Sequence, residues 1–85
     1  MKYRVLYTKS AVKDIRKLDL ETKKKIKEAM ERYAEAPLNY ARKMMDPSLG
    51  AYRFKIGNYR VIFDLEGDRI IVLRSGHRRE IYRRK

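Results

Sequence analysis

The chain opens on an alternation. Tyr3, Val5 and Tyr7 interleave with Lys2, Arg4 and Leu6, and a period of two predicts a half-buried strand over 2–7. The spacing then lengthens. Val12, Ile15 and Leu18, with Ala11 beside them, recur at helical intervals, so a helix is expected over 11–18, with Thr8 or Ser10 as its N-cap. Asp19 is the next N-cap candidate. It opens a longer helix over 20–35, in which Ile26, Met30, Tyr33 and Ala34 form one apolar stripe. Lys27–Glu31 and Glu28–Arg32 are opposite-charge pairs one turn apart, each contributing about 0.2–0.5 kcal/mol. Pro37 ends this helix, because the residue before a proline is pushed away from helical angles.

Residues 38–50 show no clear period, and Pro47, Ser48 and Gly50 mark a loop. Arg42–Met45 suggest a short helical turn within it, with the two methionines covering the edge of the core. The remainder reads as three strands, 51–56, 59–65 and 69–74, followed by a basic tail over 76–85. The turns between the strands are Gly57-Asn58 and Glu66-Gly67-Asp68. A two-residue Gly-Asn loop between β-rich runs is a strong hairpin signal. The expected architecture is one α+β domain over 1–85, in the order β-α-α-β-β-β. Its sheet is mostly antiparallel, with a helical hairpin packed on one face. Tyr3, Tyr7, Tyr33, Tyr52 and Tyr59 fall on apolar stripes and are expected in the core.

The Gly-Asn turn sets a register. With Ile56 opposite Tyr59, Lys55 faces Arg60 and Arg53 faces Ile62. One side of the hairpin then carries Tyr52, Phe54, Ile56, Tyr59, Val61 and Phe63, a core face. The other gathers Arg53, Lys55 and Arg60, with Asp64 further along. Like charges directly opposite one another destabilise a strand pair by up to about 1 kcal/mol. A chain shaped for stability alone would place an acid in one of those positions.

Composition extends this local oddity to the whole molecule. Against 11 Asp and Glu stand 23 Lys and Arg, a formal net charge of +12 over 85 residues. Such an excess points to a polyanionic partner. Cysteine is absent and histidine occurs once, so neither disulfides nor a Cys- or His-rich metal site is expected. No apolar run is long enough for a membrane span, and a cytoplasmic location is expected. The absence of glutamine, with plentiful Lys, Glu and Arg, fits a heat-adapted source.

Three cations fixed on rigid strands can hold a phosphodiester and neutralise the charge that develops at phosphorus. RNA brings its own nucleophile, the 2′-hydroxyl. An RNA-cleaving site therefore needs positioning, charge stabilisation and a proton acceptor, and no metal or other cofactor. Lys55 is one candidate base, an amine set among arginines. His77 is another, as histidine titrates nearest neutrality, although it also fits a plain loop residue. Tyr82 can stack on a base or bond to phosphate or sugar.

The run Tyr52-Arg53-Phe54-Lys55-Ile56-Gly57-Asn58-Tyr59-Arg60-Val61-Ile62-Phe63, followed by Gly76-His77-Arg78-Arg79-Glu80-Ile81-Tyr82, resembles the RelE branch of the RelE/ParE toxin superfamily. The resemblance covers nearly the whole chain. It implies a ribosome-dependent endoribonuclease that cuts mRNA in the A site and is held inactive by a cognate antitoxin. Carried over by position, Arg53 and Lys55 match the two basic residues of the first hairpin strand, the second being a proposed base. Arg60 matches a phosphate-stabilising arginine, Arg78 a leaving-group acid or charge stabiliser, and Tyr82 a tyrosine that stacks on the substrate nucleotide. Arg53 stands where well-known members have lysine; arginine clamps phosphate but is a poor base, which assigns the base role to Lys55. The short tail leaves Arg78 and Arg79 as alternatives for one role, and Arg53, His77 and Arg79 are expected to contact RNA. Two rival functions remain open at this point. ParE-like members share the fold but act on DNA gyrase, and a non-enzymatic RNA- or ribosome-binding module needs only the charge.

Overall fold

The computed structural model describes residues 2–82. Five strands form one sheet: β1 (Arg4–Tyr7), β2 (Arg42–Lys43), β3 (Tyr52–Ile56), β4 (Tyr59–Glu66) and β5 (Arg69–His77). Helices α1 (Lys9–Arg16) and α2 (Leu20–Tyr33) lie between β1 and β2 in the chain, and a 3-10 turn over Pro37–Asn39 follows α2. The α+β class and the helical hairpin agree with the sequence reading. The spatial order is β1-β5-β4-β3-β2. Only β1 is parallel to its neighbour, β5; the other pairings are antiparallel.

Local signals explain where the helices begin. The Thr8 side chain accepts the Ala11 N–H at 3.1 Å and donates to the Leu73 carbonyl at 3.0 Å. One hydroxyl thus caps α1 and ties it to β5. Asp19 accepts the Thr22 N–H at 3.2 Å and caps α2, as side-chain oxygens at this position do. Ala11, Ile26, Met30 and Ala34 pack against Phe54, Val61, Phe63, Ile70 and Val72, and this cluster is the core. Tyr3, Tyr33, Tyr52 and Tyr59 pack around it. Tyr7 does not: it stands at the end of the edge strand β1 and is 41 % exposed.

Three further expectations are corrected. Residues 42–43 form the short strand β2 against β3 instead of a helical turn. Met45 covers nothing, being 95 % exposed. Strand β5 runs on through Gly76 and His77, so the tail begins at Arg78. That longer strand contains a bulge. Between the pairs Phe63↔Val72 and Ile62↔Arg74, β5 has one extra residue, Leu73, and such an insertion bends and twists a strand.

The sheet face opposite the helices is not uniformly open. Ile62 points to that face and is fully buried, because the loop before β3 crosses it at Gly50. A β-carbon on Gly50 would lie 2.6 Å from Ile62 Cγ2 and 3.0 Å from Leu73 Cδ1, and its φ is 149°. Both the contact and the angle call for glycine. Among the described residues no helix is long and apolar enough to cross a membrane.

Candidate functional site: a basic cleft on the open sheet face

The β3–β4 hairpin has the register that its Gly-Asn turn dictates: Ile56↔Tyr59, Lys55↔Arg60, Phe54↔Val61, Arg53↔Ile62 and Tyr52↔Phe63. Gly57 takes φ 58° in the turn. Paired residues share a face, so Lys55 and Arg60 stand side by side on the open side of the sheet. Strand β2 adds a second like-charge pair in the same row, Arg42↔Arg53. Each such pair costs up to about 1 kcal/mol, and here two lie next to each other.

These residues line a cleft of about 570 Å³, bounded by Arg42, Arg53, Lys55, Arg60, Arg78, Arg79 and Tyr82. Among the described residues, six cations and one phenol surround it, and no carboxylate. Arg60 is the most deeply set, only 8 % exposed. Its Nη1 donates to the Gly57 carbonyl at 3.0 Å and to the Tyr59 carbonyl at 2.9 Å. The hairpin turn thereby fixes the guanidinium through backbone oxygens and leaves its net charge uncancelled. Among the described residues the ion pairs are Arg69–Glu66 and Arg74–Asp14, both away from the cleft. A buried cation without a counter-charge is costly unless an anion completes it.

The tail closes one side. The Arg78 N–H donates to the Asn58 carbonyl at 2.8 Å, which ties the residue after β5 to the turn of the neighbouring hairpin. Arg78, Arg79 and the partly exposed Tyr82 are thereby brought to the mouth of the cleft. Of the residues singled out from the sequence, Arg53, Lys55, Arg60, Arg78, Arg79 and Tyr82 meet here. His77 does not. It lines a different groove, at the end of β5 beside α1. Its Nδ1 accepts the Arg79 N–H at 3.1 Å, and its ring packs edge-on to Tyr59 with centroids 5.5 Å apart. Asp64 is also elsewhere, accepting the Ala51 N–H at 2.8 Å and holding the loop that leads into β3.

Arg42 is the cleft residue that the sequence reading missed. The signal lay in Arg42-Lys43 itself, two cations in a region read as a helical turn, but only pairing with β3 puts Arg42 in the row. Asp14 was missed in a structural role. Its carboxylate accepts from Arg74 Nε at 2.7 Å, Arg74 Nη2 at 3.2 Å and the Ser75 N–H at 3.0 Å. This pairing holds the Arg74 guanidinium more firmly protonated than usual, through the hydrogen bond to Asp14 foremost. It also joins α1 to β5 just past the bulge. No group of three or more His, Cys, Asp or Glu residues able to hold a metal ion occurs among the described residues.

Comparison with known proteins bears on this geometry. Residues 5–82 match the family described as the ParE toxin of type II toxin–antitoxin systems. Toxin RelE3 of Methanocaldococcus jannaschii is 32 % identical over 83 residues, spanning 93 % of this chain and 94 % of that protein. The RelB–RelE antitoxin–toxin complex from Methanococcus jannaschii contains a chain 30 % identical to this one, with a TM-score of 0.70 over 91 % of this chain and 94 % of that chain. A chain of the RelBE2 toxin–antitoxin complex from Mycobacterium tuberculosis shares the fold with a TM-score of 0.82 at 22 % identity, over 91 % of this chain and 99 % of that one. A family match along almost the whole sequence, joined to a toxin relative aligned nearly end to end, leads to one conclusion: the chain belongs to the RelE/ParE superfamily and is a RelE-like toxin of a type II toxin–antitoxin system.

Proposed function

We propose that this toxin is an endoribonuclease that cuts mRNA in the ribosomal A site and so stops translation in the cytoplasm. One observation carries the reading: Arg60 is buried, held by two backbone carbonyls, and faces a cleft that the described residues line with cations and Tyr82 and with no acid to balance them. A phosphodiester supplies the missing charge. In the proposed reaction the Lys55 amine takes the proton of the ribose 2′-hydroxyl. The 2′-oxygen attacks phosphorus, and the bond to the 5′-oxygen breaks. Arg60 and Arg53 stabilise the charge on the non-bridging oxygens. Arg78, with Arg79 beside it, stabilises the departing 5′-oxygen, which takes up a proton from water, and Tyr82 stacks on the nucleotide at the cut. The products are a 2′,3′-cyclic phosphate and a free 5′-hydroxyl. The side chains supply the charge stabilisation, so the reaction proceeds without a metal or another cofactor.

A cognate antitoxin is the second partner. The related toxins of the two complexes above are bound to RelB-type antitoxins, and a +12 surface suits an acidic segment that folds as it binds. The matching family description, which names ParE toxins, favours a second reading, a DNA gyrase inhibitor.

The test is in vitro translation with mapping of mRNA ends, with and without ribosomes. Cleavage that requires ribosomes, resists chelators and stops with a 2′-deoxy residue at the cut site supports the proposal. Intact mRNA together with inhibited gyrase supercoiling supports the second reading.

A further inference from the structure

Three of the seven described residues that line the cleft do not belong to the sheet. Arg78, Arg79 and Tyr82 sit on a turn after β5, and turns with solvent-exposed backbone bonds are the parts of a fold that open most readily. Their side chains and that of Glu80 are exposed; within 78–82 only Ile81 is buried, at 5 % exposure. Ile81 sits over Gly76. A β-carbon placed there would lie 3.5 Å from Ile81 Cδ1 and 4.0 Å from Ile81 Cβ. Gly76 is in turn the cross-strand partner of Arg60. The seat of Ile81 is therefore next to the deepest cation of the cleft.

The backbone bonds of the turn converge on the same point. The Glu80 and Ile81 N–H groups both donate to the His77 carbonyl at 2.9 Å, and the Arg78 N–H reaches the Asn58 carbonyl at 2.8 Å. These bonds shape the turn and tether its start. Past Arg78, side-chain burial that holds the turn against the sheet comes, among the described residues, from Ile81 alone. We infer that Ile81 is a positioning residue: its burial on Gly76 holds Arg78 and Tyr82 at the cleft that Arg60 and Lys55 also line. A lone β-carbon at 76 would only touch Ile81 at ordinary contact distance, whereas further branched atoms there would compete for the space that Ile81 fills. The kinetic consequence rests on the proposed endoribonuclease reaction; the anchoring itself does not.

Two measurements on the full chain separate these. Trypsin cleavage after Arg78 and Arg79, under native conditions, reads release of the turn without reference to activity. Single-turnover mRNA cleavage on ribosomes reads the chemistry. Ile81→Ala is expected to speed tryptic clipping at least about 10-fold and to slow the cleavage step about 10- to 100-fold, as misplacement by an ångström does. The mRNA concentration for half-maximal rate should change little, because β2, β3 and β4 still bind the backbone. Ile81→Leu should restore most of both. Gly76→Val should reproduce the Ile81→Ala behaviour, and the Gly76→Val/Ile81→Ala pair should be no worse than Gly76→Val alone, because the two changes act on one contact. A wild-type chain that cuts, with Ile81→Ala cutting as fast and resisting trypsin as well, overturns the inference. Additive effects in the double variant also overturn it. A wild-type chain that does not cut refutes the proposed function instead, and the tryptic arm still decides whether Ile81 anchors the turn.

Discussion

Replacing Arg60 with alanine separates a structural arginine from one kept for an anion. The guanidinium donates to two carbonyls, of Gly57 and Tyr59. Hydrogen bonds from a charged donor contribute about 1.5–3 kcal/mol each when the freed acceptors stay dry. Both carbonyls belong to a surface turn, and in the variant water reaches them, so the loss should fall well short of that sum. Removing Arg60 also relieves its repulsion with Lys55, directly opposite, by up to about 1 kcal/mol. The expected net destabilisation is about 1–2 kcal/mol, or roughly 4–16 °C in Tm for a domain of this size. Loss of one preorganised charge-stabilising donor lowers a rate by about 10²–10³-fold. Arg60→Ala should therefore remain folded at the assay temperature and lose nearly all ribosomal mRNA cleavage. Thermal unfolding followed by circular dichroism gives the first quantity, and single-turnover cleavage gives the second. If the cleavage rate falls only as far as the folded fraction does, Arg60 is a structural residue and the cleft has lost its central argument.

Lys55→Arg retains the cation but removes an amine that can take up a proton; cleavage should drop about 100-fold or more, and full activity across neutral pH would make Lys55 only a phosphate clamp. Gly50→Ala puts a β-carbon 2.6 Å from Ile62 at a φ of 149°, so denaturant unfolding should show a loss of about 2–4 kcal/mol. A hydrogen bond from the Thr22 side chain foremost, with the Thr22 N–H adding to it, holds the Asp19 carboxyl below the ordinary carboxylate range. Its contribution to α2 is thus complete above the unfolded-state value of about 3.9 and is lost as pH falls through the lower folded value. Acid titration of helix content should show this step in the wild type and not in Asp19→Asn, which caps without titrating.

Features that depend on neighbours in the chain were legible in the sequence. The N-caps Thr8 and Asp19 act within three residues. The Gly57-Asn58 turn sets the β3–β4 register because two turn residues leave only one way to pair the flanking strands. That register alone put Lys55 beside Arg60 and divided the hairpin into a core face and a basic face. What the tertiary structure decided depends on residues far apart in sequence. Arg42 joins the cleft because β2 pairs with β3, a two-residue strand too short to leave a period. His77 and Gly76 belong to β5 because the long strand β4 provides partners for them, and the backbone thereby carries His77 away from the cleft and Gly76 beneath Ile81. Ile62 reads as a stray apolar residue on a polar face until the Gly50 loop covers it. Asp14 reads as one more helix charge until the bulge at Leu73 brings Arg74 and Ser75 to it. In each case the stabilising contact closes a loop whose entropy cost is recovered only in the folded chain, so no local pattern could have announced it.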